Sequence, residues 1–279
     1  MGWIKEQYGK RKGIVLAAAV LFALFALGLA AGSLQTDQLA VHFLDVGQGD
    51  AIFIETPAGY QVLIDGGRDG TVMLEQLADA MPAHDRHIDM VIATHTDADH
   101  IGGLVAVLER FEVGELLAGE VVAESDVAGG ATERGVPIRL VERGDQFTFD
   151  NNIRLLVLFP TSEFLKNASD NDTSVVTKLT YGNDTFLFTG DLEKRGEFAL
   201  VQAGIDLDVD VLKLGHHGSN TSSTAWFLSA ATPNLAIIQV GKNPYGHPHT
   251  EVLSRLGAVP VLRNDLQGDI TLYSDGNRF

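Results

Sequence analysis

Residues 94–103 read THTDADHIGG, and within them His95, Asp97, Asp99 and His100 fall inside six positions. Imidazole nitrogens and carboxylate oxygens together accept Zn²⁺, Mn²⁺ or Fe²⁺, and the extra carboxylate in place of a third imidazole hardens the set toward Mn²⁺. His95 and Asp97, two apart, project to one side of an extended backbone. Asp99 and His100, on the turn that follows, reach a second point a few ångströms away. The geometry suits two divalent ions better than one. An Asp ahead of Gly102-Gly103 would by itself be a helix cap or turn. Four ligand-type side chains packed so closely are not explained that way.

Ligands need rigid supports. Residues 90–93 are an apolar run with the branching of a buried strand, so the cluster sits on a loop at a strand's end. The arrangement recurs along the chain. A strand over 209–214 delivers Gly215-His216-His217-Gly218-Ser219, and one over 185–189 runs into Gly190-Asp191 ahead of a helix over 193–203. A strand over 235–240 precedes Tyr245-Gly246-His247-Pro248-His249 and a helix over 250–256. His247 is a candidate ligand or acid, whereas His249, beside a proline at a helix start, reads as structural. Upstream, strands over 39–44, 51–55 and 61–65 surround Asp45-Val-Gly-Gln-Gly-Asp50 and end in Asp65-Gly66-Gly67, with a helix over 71–80. Asp45, Gln48 and Asp50 read as the floor of a cleft rather than as ligands. Short apolar runs at 115–117, 137–141, 146–149 and 153–159 suggest central antiparallel strands around a variable loop at 123–134. Runs at 259–263 and 270–273 close the sheet. Two β-rich halves with outer helices imply an α/β fold, a four-layer αββα sandwich.

HTDADHIGG resembles the His-x-(His or Asp)-x-Asp-His signature of the metallo-β-lactamase superfamily. With DVGQGD, LIDGG and HHGS in the same order, the chain resembles the β-lactamase-like domain of ComEC-type competence proteins over about residues 41–273. The resemblance implies a metal set of His95, Asp97, Asp99, His100, Asp191 and His217, with Asp191 bridging two cations and Asp65 orienting the loop that bears the first cluster. Where most of the superfamily places a lone His ligand, this chain offers Asp170, Asn171 or Asp172. Asp172 is taken as the ligand, with an ordinary turn as the equal alternative. Of the two adjacent histidines, one completes the second ion's shell and the other protonates a leaving oxygen or holds a phosphate oxygen. Asp99, His216 and His247 are the candidate catalytic groups.

The chain has 279 residues, no cysteine, and a net charge of -17 from 37 acidic and 20 basic residues. The composition is that of a foldable globular protein, without disulfides or thiolate ligands. The acidity argues against holding nucleic acid on a broad basic surface, although bound cations can supply positive charge locally. Residues 13–31 carry no charged or polar side chain and follow Lys10-Arg11-Lys12. At about 1.5 Å per residue such a run spans roughly the hydrocarbon thickness. It reads as an N-terminal transmembrane or signal helix with its basic flank in the cytoplasm. The expected organisation is an export segment over 1–33 and a hydrolase domain over 34–279, either in the cell membrane with the domain outside the cytoplasm or secreted after cleavage.

The expected activity is that of a metal-dependent hydrolase, phosphodiesterase or nuclease-like, in which two divalent ions (Zn or Mn) activate a water. A lactone, thioester or amide hydrolase is the enzymatic alternative, and a non-catalytic binding module retaining the fold is the other. The expected partners are a phosphodiester substrate, DNA or a wall polymer, and the membrane through the N-terminal helix, with no obligate protein partner.

Overall fold

The computed structural model describes residues 38–150 and 153–279. The apolar run expected to form a transmembrane or signal helix lies outside the described residues. Among the described residues no helix is long and apolar enough to cross a membrane.

Two seven-stranded sheets face each other. The first has the order β14-β1-β2-β3-β4-β5-β6, from Ile270–Ser274, Leu39–Phe43, Ile52–Glu55, Gln61–Ile64, His87–Ala93, Glu112–Ala118 and Ile138–Leu140. The second has the order β13-β12-β11-β10-β9-β8-β7, from Val261–Arg263, Leu235–Ile238, Val211–Lys213, Asp184–Phe188, Val176–Tyr181, Ile153–Phe159 and Gln146–Phe149. Each sheet is antiparallel at one end and parallel at the other. β3, β4, β5 and β6 run parallel, as do β10, β11, β12 and β13.

Strand alternation sorts the apolar side chains into three buried layers. Leu39, Val41 and Phe43 point inward and meet Leu155, Val157, Phe186 and Phe188 of the opposite sheet. Phe53, Leu63 and Val91 face outward beneath helices α1 (Gly70–Ala80), α2 (Ala98–Ile101), α3 (Leu104–Arg110) and α4 (Asp126–Glu133). Leu187, Leu212 and Ile238 do the same on the second sheet, beneath α6 (Lys194–Gln202), α7 (Ala225–Ala231) and α8 (Thr250–Leu256). The short α5 (Ser162–Leu165) and α9 (Asn264–Gln267) lie in connections. Strands buried on both faces read as continuous apolar runs, which is why they stand out in the sequence. The expected αββα sandwich is therefore present.

Two expectations need correction. The segment expected to be a variable loop at 123–134 contains α4, started by Ser125, whose Oγ accepts the Ala128 N–H. Val127, Ala128 and Ala131 bury one face, a spacing obscured by Gly129-Gly130. The stretch 111–157 is also not uniformly antiparallel, because β5 and β6 extend the parallel half of the first sheet.

Candidate metal centre

The loops that follow β3, β4, β10, β11 and β12 converge at one rim of the sandwich, outside the carboxyl ends of parallel strands. Asp65 follows β3 with φ at +58° and is fully buried. Its Oδ1 accepts the Thr94 N–H at 2.9 Å, and its Oδ2 accepts the Thr94 hydroxyl at 2.6 Å and His100 Nδ1–H at 2.8 Å. With its own proton committed to Asp65, Thr94 Oγ1 can only accept from His95 Nδ1, 3.0 Å away. His217 Nδ1 lies 2.9 Å from the Gln239 carbonyl, which has no proton to give. Each of these hydrogen bonds puts the imidazole proton on Nδ1 and leaves Nε2 bare.

Those bare nitrogens point into the site. Nε2 of His95, His100 and His217 is buried without a hydrogen-bond partner, as is Asp191 Oδ1. His100 Nε2 stands 3.2 Å from Asp191 Oδ1, and His217 Nε2 stands 3.4 Å from Asp191 Oδ2 and 3.6 Å from Asp99 Oδ2. His95 Nε2 lies 3.6 Å from Asp97 Oδ2, and His216 Nε2 lies 3.8 Å from Asp191 Oδ2. At His100 and His217 lone pair faces lone pair, which a buried site tolerates only with a cation or proton between them. Two ligand atoms about 2.1 Å from one ion at tetrahedral angles lie about 3.4 Å apart, so the spacings fit a metal. Asp191 faces both His100 and His217 through different oxygens, the disposition of a carboxylate shared between ions.

The electrostatics agree. Burial pushes the Asp191 carboxyl up, but His100, His217 and Lys213 outweigh it and hold it well below the ordinary range. Burial likewise opposes ionisation of Asp99, yet His217 and His100 bring it down to about 2. Asp97 is lowered by its contact with His95. In the metal-free protein the compensating protons sit on histidines: burial pulls His217 down, but Asp191, Asp50 and Asp99 raise it to about 9. His100 is raised in the same way by Asp191, Asp50 and Asp65.

His216 and His217 both adopt left-handed backbone, with φ at +50° and +52°. Such strain in non-glycine residues persists where the surroundings enforce it, as at ligand clamps. Here it turns the adjacent rings in different directions. His217 is buried at the centre, while His216 is a fifth exposed, with Nδ1 3.3 Å from Glu193 Oε1 and 3.3 Å from Asn171 Nδ2. His247 sits at the mouth, its ring centroid 5.4 Å from that of His216 and 6.5 Å from that of His217. Asn243 fixes its loop, donating from Nδ2 to the Gly241 and His247 carbonyls and accepting the His247 N–H. Burial and the neighbouring His216 and His217 lower His247 to about 4, so it is neutral at pH 7. His249 Nδ1 accepts the Asn220 N–H, a structural duty.

Asp172 is placed elsewhere. Its Oδ1 accepts the N–H groups of Glu193 and Gly196 at 3.1 and 3.2 Å, capping the start of α6, where the Glu193 side chain makes no cap bond. Free amides at a helix start require an acceptor, and Asp172 supplies it in place of the expected metal bond. Its neighbour Ser174 supports the site instead: Ser174 Oγ donates to the Asn171 carbonyl and accepts the Asp191 N–H at 3.1 Å. The sequence reading missed Lys213, Glu193, Thr94 and Gln239. Lys213 had a visible signal, a lysine inside an apolar strand, whereas the others depend on contacts between distant loops.

Asp50 lies within 4.8 Å of His100, Asp191 and His217 by their possible ligand atoms, so these four form a candidate metal-holding group. Burial pushes the Asp50 carboxyl up, but Lys213 beside it, with His100 and His217, holds it below the usual range. The DVGQGD loop can approach because Gly49, at φ +140°, has no side chain: a Cβ there would lie 2.1 Å from the Asp99 carbonyl oxygen.

Residues 44–242 match the metallo-beta-lactamase superfamily. The chain is 35% identical over 255 residues to ComE operon protein 3 of Bacillus subtilis (strain 168) and 34% identical over 236 residues to competence protein ComA of Neisseria gonorrhoeae. The matches cover 82% and 83% of this chain but only 32% of each relative, so the chain spans about a third of their length. Recombination protein 2 of Haemophilus influenzae is 30% identical over 77% of the chain and 26% of its own length. Among solved structures, Zn(2+)-bound PqqB from Methylobacterium extorquens has a TM-score of 0.56 at 13% identity, over 84% of this chain and 99% of that one. CmlA, a diiron beta-hydroxylase from Streptomyces venezuelae, has a TM-score of 0.55 at 15% identity, over 85% and 54%. At such identities these two speak for the fold alone. The chain belongs to the metallo-β-lactamase superfamily and, within it, is similar to the β-lactamase-like domain of ComEC-type competence proteins.

Proposed function

We propose that this protein is a metal-dependent hydrolase of phosphodiesters. The observation that carries the metal is the set of bare, buried Nε2 atoms of His95, His100 and His217 turned toward carboxylate oxygens. His95, Asp97, Asp99, His100, Asp191 and His217 would hold two divalent ions, with Asp191 between them. When bound, such ions lower the pKa of water and offset the charge of phosphate oxygens. The chain's own groups do the rest. Asp65 and Gln239 keep the imidazole protons on the outer edges of the rings. His216, oriented by Glu193 and open to solvent, is the group that can hold or pass a proton at a leaving oxygen. His247, neutral at pH 7, can accept a hydrogen bond at the mouth but has no spare proton of an imidazolium to give.

Zinc and manganese are the metals to test. Two of the relatives are named for competence and recombination, which makes single-stranded DNA the first polymer to assay. The apolar run at 13–31 behind a basic cluster supports work outside the cytoplasmic membrane, on DNA or a wall polymer. The test is an assay of the purified chain, stripped by chelator and reloaded with Mn²⁺ or Zn²⁺, on bis(p-nitrophenyl) phosphate, single-stranded DNA and a lactone. Metal-dependent cleavage of the first two is the expected result. Turnover of the lactone alone would reassign the enzyme to acyl substrates, and bound metal without any turnover would make it a binding module.

A further inference from the structure

Lys213 closes β11, and the residue is only 1% exposed. A buried ammonium needs a counter-charge and acceptors for its protons. Lys213 finds them on two loops of different sheets. Its Nζ pairs with Asp50 Oδ2, from the loop between β1 and β2, and donates to the Gly190 carbonyl at 3.0 Å. The same Nζ lies 3.9 Å from Asp191 Oδ1. The ammonium thus grips the peptide that carries Asp191, whose carboxylate stands between His100 and His217.

Asp50 meets the histidines from behind. Its Oδ1 is 3.3 Å from His217 Nδ1 and its Oδ2 is 3.7 Å from His100 Nδ1. Those are the ring edges whose protons go to Gln239 and Asp65, whereas the bare Nε2 edges face Asp191. A ligand sharing an ion with these imidazoles belongs on the Nε2 side.

We propose that Lys213 is a positioning residue of the metal centre, holding the Gly190 carbonyl so that Asp191 is aimed between the imidazoles, and that Asp50 is its counter-ion and not a metal ligand. This rests on the metal-centre reading above and is independent of the substrate.

The test titrates Mn²⁺ calorimetrically into the chelator-stripped full chain, into K213M and into D50L/K213M, with thermal unfolding of each metal-free protein followed in parallel. K213M is expected to bind Mn²⁺ about 30-fold more weakly, in the range seen when a group supporting a ligand is lost. D50L/K213M removes both charges, and apolar replacement of a buried ion pair is commonly tolerated. Its unfolding temperature is expected to return toward wild type while its Mn²⁺ affinity stays low. Affinity in K213M equal to wild type would remove Lys213 from the positioning of Asp191, and tighter affinity would identify Asp50 as a ligand released by loss of its partner; either overturns the proposal. Recovery of affinity in the double variant would reduce the ion pair to a structural tie and overturn it equally. If the double variant does not unfold cooperatively, D50N/K213Q replaces it with the same two outcomes. Absence of Mn²⁺ binding by wild type removes the centre and this role together, whereas absence of phosphodiester turnover touches neither.

Discussion

Asp65 receives three hydrogen bonds in a fully buried position and, through Thr94, also sets His95. An Asn there has one acceptor oxygen and brings a donor, so Asp65→Asn must leave a donor of Thr94 or His100 facing N–H. Metal affinity is expected to fall about 10- to 100-fold, measured by calorimetry with Mn²⁺ or Zn²⁺. An unchanged affinity would remove Asp65 from the support of the centre. His217 carries the pH dependence. Its pKa in the folded, metal-free protein is about 9, above the ordinary value, so the folded state binds more protons than the unfolded state between about pH 6.5 and 9. That contribution to stability is complete below pH 6.5 and is lost as pH rises through 9, and the raised pKa of His100 acts in the same direction. Thermal unfolding in chelator is expected to show a falling midpoint over this window. Metal affinity should rise across it as protons leave the ligands. A flat midpoint would mean that these histidines are neutral in the empty site.

At the scale of elements, Asp172 and Asp191 show how identical side chains take different work from their positions. Asp172 faces the free amides of α6, while Asp191, after β10, faces imidazoles. Asp172→Ala is expected to cost about 1 kcal/mol, the usual loss for a helix cap. In a domain of this size that lowers the unfolding midpoint by about 2–4 °C, with metal stoichiometry unchanged. Loss of a metal equivalent in this variant would restore Asp172 as a ligand. The DVGQGD loop is limited by contact rather than by charge. Gly49→Ala would drive a methyl into the Asp99 carbonyl oxygen at a left-handed backbone position. The variant is expected to lose about 1–3 kcal/mol of stability, read by denaturant unfolding, and to weaken metal binding by moving Asp99.

For the whole molecule, the candidate centre draws on both sheets: His95, Asp97, Asp99 and His100 come from the first, and Asp191 and His217 from the second. Gln239 adds two hydrogen bonds between halves, donating from Nε2 to the Leu44 and Ala51 carbonyls. Metal bound at about 100 times its dissociation constant should stabilise the fold by about 2.7 kcal/mol. Adding a chelator is then expected to lower the unfolding midpoint by about 5–10 °C, measured by calorimetric scanning. A midpoint indifferent to chelator would mean that the ligands do not hold an ion across the sheets.

The layered architecture was legible in the sequence because its strands are buried on both faces, and such runs announce themselves without tertiary context. The convergence of the first cluster was legible for a related reason: His95, Asp97, Asp99 and His100 are neighbours in the chain, so one loop brings them to the same rim without help from distant residues. α4 was hidden by Gly129-Gly130, which weaken the helical pattern without breaking a helix that packs well. What only the folded chain decided is which atom of each side chain faces the site. The Nδ1 contacts of His100 and His217, the capping by Asp172 and the approach of Lys213 to Asp50 join residues 21 to 163 positions apart. A carboxylate or an imidazole has the same letter in every setting, and its role comes from the partner that a distant loop brings to it.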